Sequence, residues 1–215
     1  MIVIGLTGKS GSGKTTIARM LRVLLENSDM VLLGSFNGPL KSIARMQYDW
    51  NGRKDDDGRR LLQMVGDEYR KEDPEYWVNH LKGNIYAAIM HSAMLGEPIN
   101  AVLIDDIRYH NEARFIRSMG GIIIAVCVPP EKVGHETWRE HSSETDMNTI
   151  EVDMHITNAK DGLDHLFAKL VGKWPEIGSE AHEQQKPLQA HIKQILKETP
   201  QFVTAQGPPD DIAFQ

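Results

Sequence analysis

Residues 8–15 read Gly-Lys-Ser-Gly-Ser-Gly-Lys-Thr, and this run constrains the fold more than any other part of the chain. Glycines at 8, 11 and 13 open backbone angles closed to other residues, so successive N–H groups can turn inward around a phosphate chain. Ahead of the run, Ile2-Val3-Ile4-Gly5-Leu6 suits a buried parallel strand. Behind it, Ile17, Met20, Leu21, Leu24 and Leu25 form one apolar stripe of a helix opening at about Thr15. The loop therefore joins a strand to a helix, and its phosphates would lie at the positive end of that helix. In such a loop Gly11, Ser12, Gly13, Lys14, Thr15 and Thr16 cradle the nucleotide, Lys14 reaches the β- and γ-phosphates, and the Thr15 hydroxyl is a ligand for Mg²⁺.

The rest of the chain supplies what a strand–loop–helix start needs to become a domain. Further strands are expected at 30–33, 101–104, 122–128 and 154–156. Helices are expected around Leu40, Ile43 and Ala44, around Leu61, Leu62 and Val65, from Val78 to Ile89, and from Leu163 to Leu170. This alternation predicts an α/β fold: a three-layer sandwich with a parallel sheet of about five strands and helices on both faces. A length of 215 residues suits one such domain with an appendage. The domain is expected over residues 1–173. Beyond it, residues 174–215 are rich in Gln, Glu and Pro and read as a helical, loosely ordered tail, packed on the core or serving a subunit contact such as a homodimer.

Charge and cysteine usage narrow the function class. A net charge of −6 argues against a nucleic-acid partner and leaves small anions to be caught by local positive sites. No stretch approaches membrane-spanning length, and nothing resembles a secretory leader, so no membrane is expected and the cytoplasm is the default. The single cysteine, Cys127, falls in an apolar run and reads as a core residue. Residues 51–60 are polar and aspartate-rich, the composition of a mobile loop rather than of a binding face. At the end of the third strand stand Asp105 and Asp106, followed by Arg108. Ligands of doubly wound sheets gather outside these strand ends, so one carboxylate is a candidate to hold the metal or polarise an acceptor hydroxyl, the other to cap a helix. Asp106 is taken as the metal candidate beside Thr15, with Asp105 left open.

Several segments together carry a family resemblance. Asp106-Ile107-Arg108-Tyr109-His110-Asn111-Glu112-Ala113, followed by Gly120-Gly121, is similar to the D-V-R-F-x-N-E-A … G-G signature of phage-type deoxynucleoside monophosphate kinases. Phe36-Asn37-Gly38-Pro39-Leu40-Lys41 resembles that family's F-A-D-P-L-K, departing at Asn37 and Gly38. Arg59-Arg60-Leu61-Leu62-Gln63 with Gly66, Arg70 and Trp77-Val78 resembles its R-x-x-L-Q-x-x-G … R … W-V segment. His141-Ser142-Ser143-Glu144 and Asn158 fit two further elements, while Thr15 stands where many members carry aspartate. The likeness spans residues 2–171.

The resemblance implies transfer of the γ-phosphoryl group of ATP to a (deoxy)nucleoside 5′-monophosphate, with Mg²⁺. It implies catalytic roles for Lys14, Asp106, Arg108 and Arg139, the last on a lid at residues 129–149. It also places Arg59 and Arg70 on the acceptor phosphate, with Lys41 nearby, and Phe36 and Trp77 against the acceptor base. Two other readings share the phosphate loop: a kinase of another small acceptor, of the phosphomevalonate or dephospho-coenzyme A type, and a slow nucleotide-hydrolysing switch. A guanine-reading Asn-Lys-x-Asp run is not present in the sequence.

Overall fold

The computed structural model describes residues 1–25, 30–129, 142 and 146–198, with side chains to residue 184. Five parallel strands form one sheet: β1 (Ile2–Thr7), β2 (Val31–Gly34), β3 (Ala101–Ile107), β4 (Ile122–Cys127) and β5 (Met154–Thr157), in the order β2-β3-β1-β4-β5. The chain leaves β1 toward β2 and β3, then crosses to β4 on β1's other side. The switch point therefore lies at the carboxyl end of β1, where the glycine run begins.

Strand alternation divides the core into two layers. Ile4, Leu6, Leu103, Ile122 and Ile124 face one side, where α1 (Lys14–Leu24) contributes Ile17 and Leu21. A long helix, α6 (Leu163–Glu198), contributes Leu166, Leu170, Ile177 and Ala181 to the same layer. It runs unbroken past residue 174, and Ile177 and Ala181 are as buried as the residues before that point. Val3, Val102, Ile104 and Ile123 face the other side, against α4 (Tyr76–Met94) and α5 (His110–Ser118). A smaller cluster, Leu40, Val65 and Trp77, joins α2 (Asn37–Gln47) to α3 (Asp56–Glu72) and α4. Buried side chains of this kind contribute about 1.5–3 kcal/mol each. No helix among the described residues is long and apolar enough to cross a membrane.

Three expectations change. β3 continues to Ile107, where its backbone carbonyl accepts from the Thr7 hydroxyl at 3.0 Å, so both aspartates lie inside the strand and not after it. Residues 51–60 are not simply a loop: Asp55 caps α3 by accepting from the Gly58 N–H, and the helix starts at Asp56. Cys127 is exposed, because it ends β4 beyond the covered part of the strand, with His155 Nδ1 3.7 Å from its sulfur.

Candidate active site

The glycine run folds as the sequence requires. Gly13 has φ of 100°, a left-handed conformation open to glycine, and a Cβ there would lie 2.5 Å from Nδ2 of Asn158. That amide donates to the Ser12 carbonyl at 2.9 Å, so the residue after β5 clamps the loop from across the sheet. Lys14 is buried and folds back, its ammonium donating to the carbonyls of Gly8 and of Lys9, the latter at 2.9 Å. Ser12 Oγ is buried without a hydrogen-bond partner among the described residues. An orphaned hydroxyl inside a ring of glycines at a helix N-terminus fits a phosphate, whose oxygens would satisfy it.

From the loop a cavity of about 370 Å³ opens between α2, α3 and the carboxyl end of β3. Its loop wall holds Ser10, Gly11, Gly13, Lys14, Thr15 and Thr16. Opposite stand Asn37, Leu40 and Lys41 of α2, then Lys54, Arg59, Leu62, Gln63 and Arg70, with Asp105, Asp106, Arg108 and Tyr109 at the strand end. Six cations therefore face two carboxylates in a chain whose overall charge is −6. Partial burial and the neighbouring Lys41, Arg59 and Arg108 push the Lys54 ammonium below its ordinary value, against the opposing pull of Asp105. Such a positive concavity gathers polyanions.

The two aspartates divide their work. Asp106 is buried, and its carboxylate accepts from the Ser35 hydroxyl at 2.6 Å, the Phe36 N–H at 2.9 Å and the Asn37 N–H at 2.9 Å. It ties β3 to the start of α2, and with both oxygens engaged it is poorly disposed to bind a metal. Asp105 points to the opposite face by strand alternation, the face that α1 covers, and lines the cavity with Thr15. A hydroxyl and a carboxylate are the hard oxygen donors that Mg²⁺ takes beside phosphates, so the residues fit that ion. Of the two carboxylates lining the cavity, Asp105 is the one disposed toward such an ion, while Asp106 is engaged by Ser35, Phe36 and Asn37.

The cations also separate. Arg59 donates from Nη1 to Ser10 Oγ at 2.7 Å and from Nε to the Lys54 carbonyl at 2.8 Å, which anchors it against the phosphate loop. Arg70 lies farther along α3, its guanidinium 4.0 Å from the centre of the Tyr109 ring and 3.6 Å from the buried Glu112 carboxylate. Burial pushes the Glu112 carboxyl up to about 7, even though Arg70 and the N–H groups of Arg108 and Tyr109 pull it down.

Phe36 and Trp77 are not in the cavity. Phe36 is 1% exposed and packs edge-on against Phe115, while Trp77 is 2% exposed with its indole N–H donating to the Gly66 carbonyl at 3.1 Å. Both ring positions are consumed by the core, and the cavity's apolar surface comes instead from Leu40, Leu62 and Tyr109. Arg139 and His141, with most of 129–149, lie outside the described residues. Lys54 was hidden from sequence reasoning by its aspartate-rich neighbours, and Glu112 by its ordinary place in a helix start.

Loop, switch point and cationic cavity together define a nucleotide-binding P-loop protein of the α/β class. Residues 4–148 match the family described as an AAA domain, and the chain belongs to that family. It is 28% identical over 192 residues to a protein of Acanthamoeba polyphaga mimivirus named "Putative deoxynucleotide monophosphate kinase", covering 80% of this chain and 95% of that one. Among solved structures it is similar to thymidylate kinase from Ehrlichia chaffeensis, at 13% identity with 81% of this chain and 98% of that one covered and a TM-score of 0.39. Thymidylate kinase from Candida albicans gives 9%, 84%, 93% and 0.42 for the same measures.

Proposed function

We propose that this chain is a kinase that moves the γ-phosphoryl group of ATP to a (deoxy)nucleoside 5′-monophosphate and works in the cytoplasm. The observation that carries the reading is that one cavity is lined both by the phosphate loop and by Lys41, Lys54, Arg59 and Arg70, so a donor and an acceptor phosphate can share it. The name borne by the mimiviral relative supports the same acceptor.

Phosphoryl transfer asks the protein for alignment and positive charge and for little covalent chemistry. The inward N–H groups of residues 11–16 and the Ser12 hydroxyl hold the donor phosphates, and Lys14 turns from its carbonyl partners to the phosphate oxygens. Arg59, already anchored to Ser10, stands on the donor side, where positive charge stabilises the migrating group. Arg70 takes the acceptor phosphate through its planar fork, with Lys41 and Lys54 contributing charge between the two. Leu40 and Leu62 pack on the faces of the base, which Phe36 and Trp77 cannot reach. Thr15 and Asp105 would hold Mg²⁺, which neutralises charge on the phosphates when bound.

One observation favours a second reading. An aliphatic wall of Leu40 and Leu62 also suits a branched aliphatic phosphate of the phosphomevalonate type. Monitoring ADP release with ATP, Mg²⁺ and each acceptor in turn separates them. Deoxynucleoside monophosphates are expected to accelerate release, and phosphomevalonate and dephospho-coenzyme A are not. Acceleration by one of the latter alone moves the assignment to the second reading, and acceleration by none leaves a nucleotide-hydrolysing switch.

A further inference from the structure

Glu112 is a carboxylate that phosphate chemistry does not call for, since it stands behind an arginine meant for an anion. It is 2% exposed, and its two oxygens have different partners. Oε2 accepts from the Arg108 N–H at 2.7 Å and the Tyr109 N–H at 3.1 Å, which is the reach-back of a third-position glutamate to the start of its own helix. Capping needs no more than that oxygen. Oε1 faces the Arg70 guanidinium at 3.6 Å, and this contact joins α3 to the start of α5.

Two other features shape the same guanidinium. The Tyr109 ring lies 4.0 Å from it, a cation–π arrangement that fixes its plane. Gly66, one turn earlier on α3, leaves the space it needs: a Cβ there would come within 2.9 Å of Arg70 Nη1. Asp67 is a more distant partner at 3.8 Å. Arg70 is thus held from below, from one face and by a vacancy on its own helix, while its side chain remains 18% exposed to the cavity.

The geometry points to Glu112 as a positioning residue that holds the Arg70 guanidinium in the orientation that receives the acceptor phosphate, and that fixes the Arg108–Tyr109 turn with its other oxygen. This rests on the assignment of Arg70 to the acceptor phosphate above. The ionised carboxylate is the form that attracts Arg70, and burial together with Asp106 favours the neutral form, against Arg70 and the two N–H groups. Tyr109 and Asp67 are further ionisable groups packed against Arg70 and Glu112 among the described residues. Holding is therefore strongest above about pH 7 and fades below it.

Glu112→Gln keeps an oxygen for capping and removes the charge. With ATP and an accepted nucleoside monophosphate, the variant is expected to raise the acceptor KM roughly tenfold at about pH 8.5, with the ratio to wild type falling toward one at about pH 6, while kcat and the KM for ATP stay within about twofold. The comparison at each pH cancels the acceptor's own second ionisation. Gly66→Ala, which pushes Arg70 from the other side, is expected to raise the same KM at every pH without loss of fold, since the neighbour it meets is the end of a flexible side chain. A KM ratio for Glu112→Gln that is flat with pH, or a loss in kcat alone, reduces Glu112 to a helix cap and overturns the inference.

A readout free of any substrate keeps this distinct from the kinase assignment. The ¹⁵N resonance of Arg70 Nε is expected to move between about pH 6 and 8.5 in the wild-type chain and to stay fixed in Glu112→Gln. If that resonance titrates and no monophosphate is accepted, the kinase assignment fails and the positioning stands. If it is insensitive to both pH and the substitution, the positioning fails whatever the enzyme accepts.

Discussion

The two ends of the cavity are built in opposite ways. The donor end is backbone: eight consecutive residues, 8–15, curl at the end of β1, and their specificity lies in N–H groups and in glycines. The acceptor end is side chains drawn from α2, α3 and the end of β3, held by contacts between residues far apart in sequence. Arg70 of α3 reaches Glu112 of α5, and Asp106 reaches Asn37 across 69 positions. A backbone site tolerates little change at any residue but survives shifts of its surroundings. A side-chain site can exchange one residue for another yet depends on every element that aims it.

That contrast makes the largest prediction one about the donor end. Lys14→Ala removes a positioned charge from the migrating group, so turnover should fall by at least roughly a hundredfold in a chain that still folds. Steady-state ADP release beside a circular-dichroism melt checks both halves. Near-normal turnover would show that the loop's lysine is not part of the chemistry.

The paired aspartates sharpen the comparison, because adjacent residues belong to different ends. Asp106→Ala strands the Ser35 hydroxyl and the N–H groups of Phe36 and Asn37 in a buried place, and should cost about 2–4 kcal/mol of stability. Asp105→Asn should leave the melt nearly unchanged and lower kcat about tenfold or more, with a raised requirement for Mg²⁺. Exchanged outcomes, with Asp105 structural and Asp106 catalytic, would reverse the assignment of the two faces of β3.

How far the sequence revealed each end follows from the same difference. The phosphate loop was legible because its residues are contiguous and its glycines have no other common reason to recur at that spacing. Four of the strands were legible as apolar runs to within a residue at either end, and β3 was legible except for its last three residues. The split between Asp105 and Asp106 was not, because it depends on β3 running on to Ile107, three residues past the expected end, which puts the two carboxylates on opposite faces of the strand. Phe36 and Trp77 misled for a related reason. An aromatic at the start of a helix looks alike in sequence whether it closes a core or lines a cavity, and only the partners Phe115 and Gly66 decide. Lys54 lies in a stretch whose composition says loop, yet it lines the cavity just ahead of the helix that Asp55 caps, beside Arg59, which the family resemblance had already singled out.

A smaller effect probes the one place where a side chain supports the backbone site. Asn158→Ala removes the clamp on the Ser12 carbonyl, a net contribution of about 1 kcal/mol, so the KM for ATP should rise about fivefold with the acceptor KM unchanged. Equal changes in both constants would mean that the clamp orders the whole cavity and that the two ends are not separately built.

The last prediction concerns stability and pH. The Glu112 carboxyl is raised from its ordinary 4.5 to about 7 in the folded chain, chiefly by burial, with Asp106 adding to the rise and Arg70 opposing it. Between those values the folded state binds more protons than the unfolded state, so the stability this group contributes is fully present below about pH 4.5 and is lost as pH rises through about 7. Glu112→Gln lacks that limb. The unfolding free energy of wild type minus that of the variant should therefore fall by about 2 kcal/mol between about pH 5 and pH 8, as read by denaturant titration of both proteins at each pH. The direction is opposite to that of acceptor binding, which the ionised carboxylate favours. A side-chain site that aims its arginine with a buried charge gives up stability over the same pH range in which it is organised for its substrate, whereas the backbone loop faces no such conflict. Curves that run parallel from pH 5 to pH 8 would show that Glu112 does not change its charge in the folded chain, and that the acceptor end is held without a titrating group.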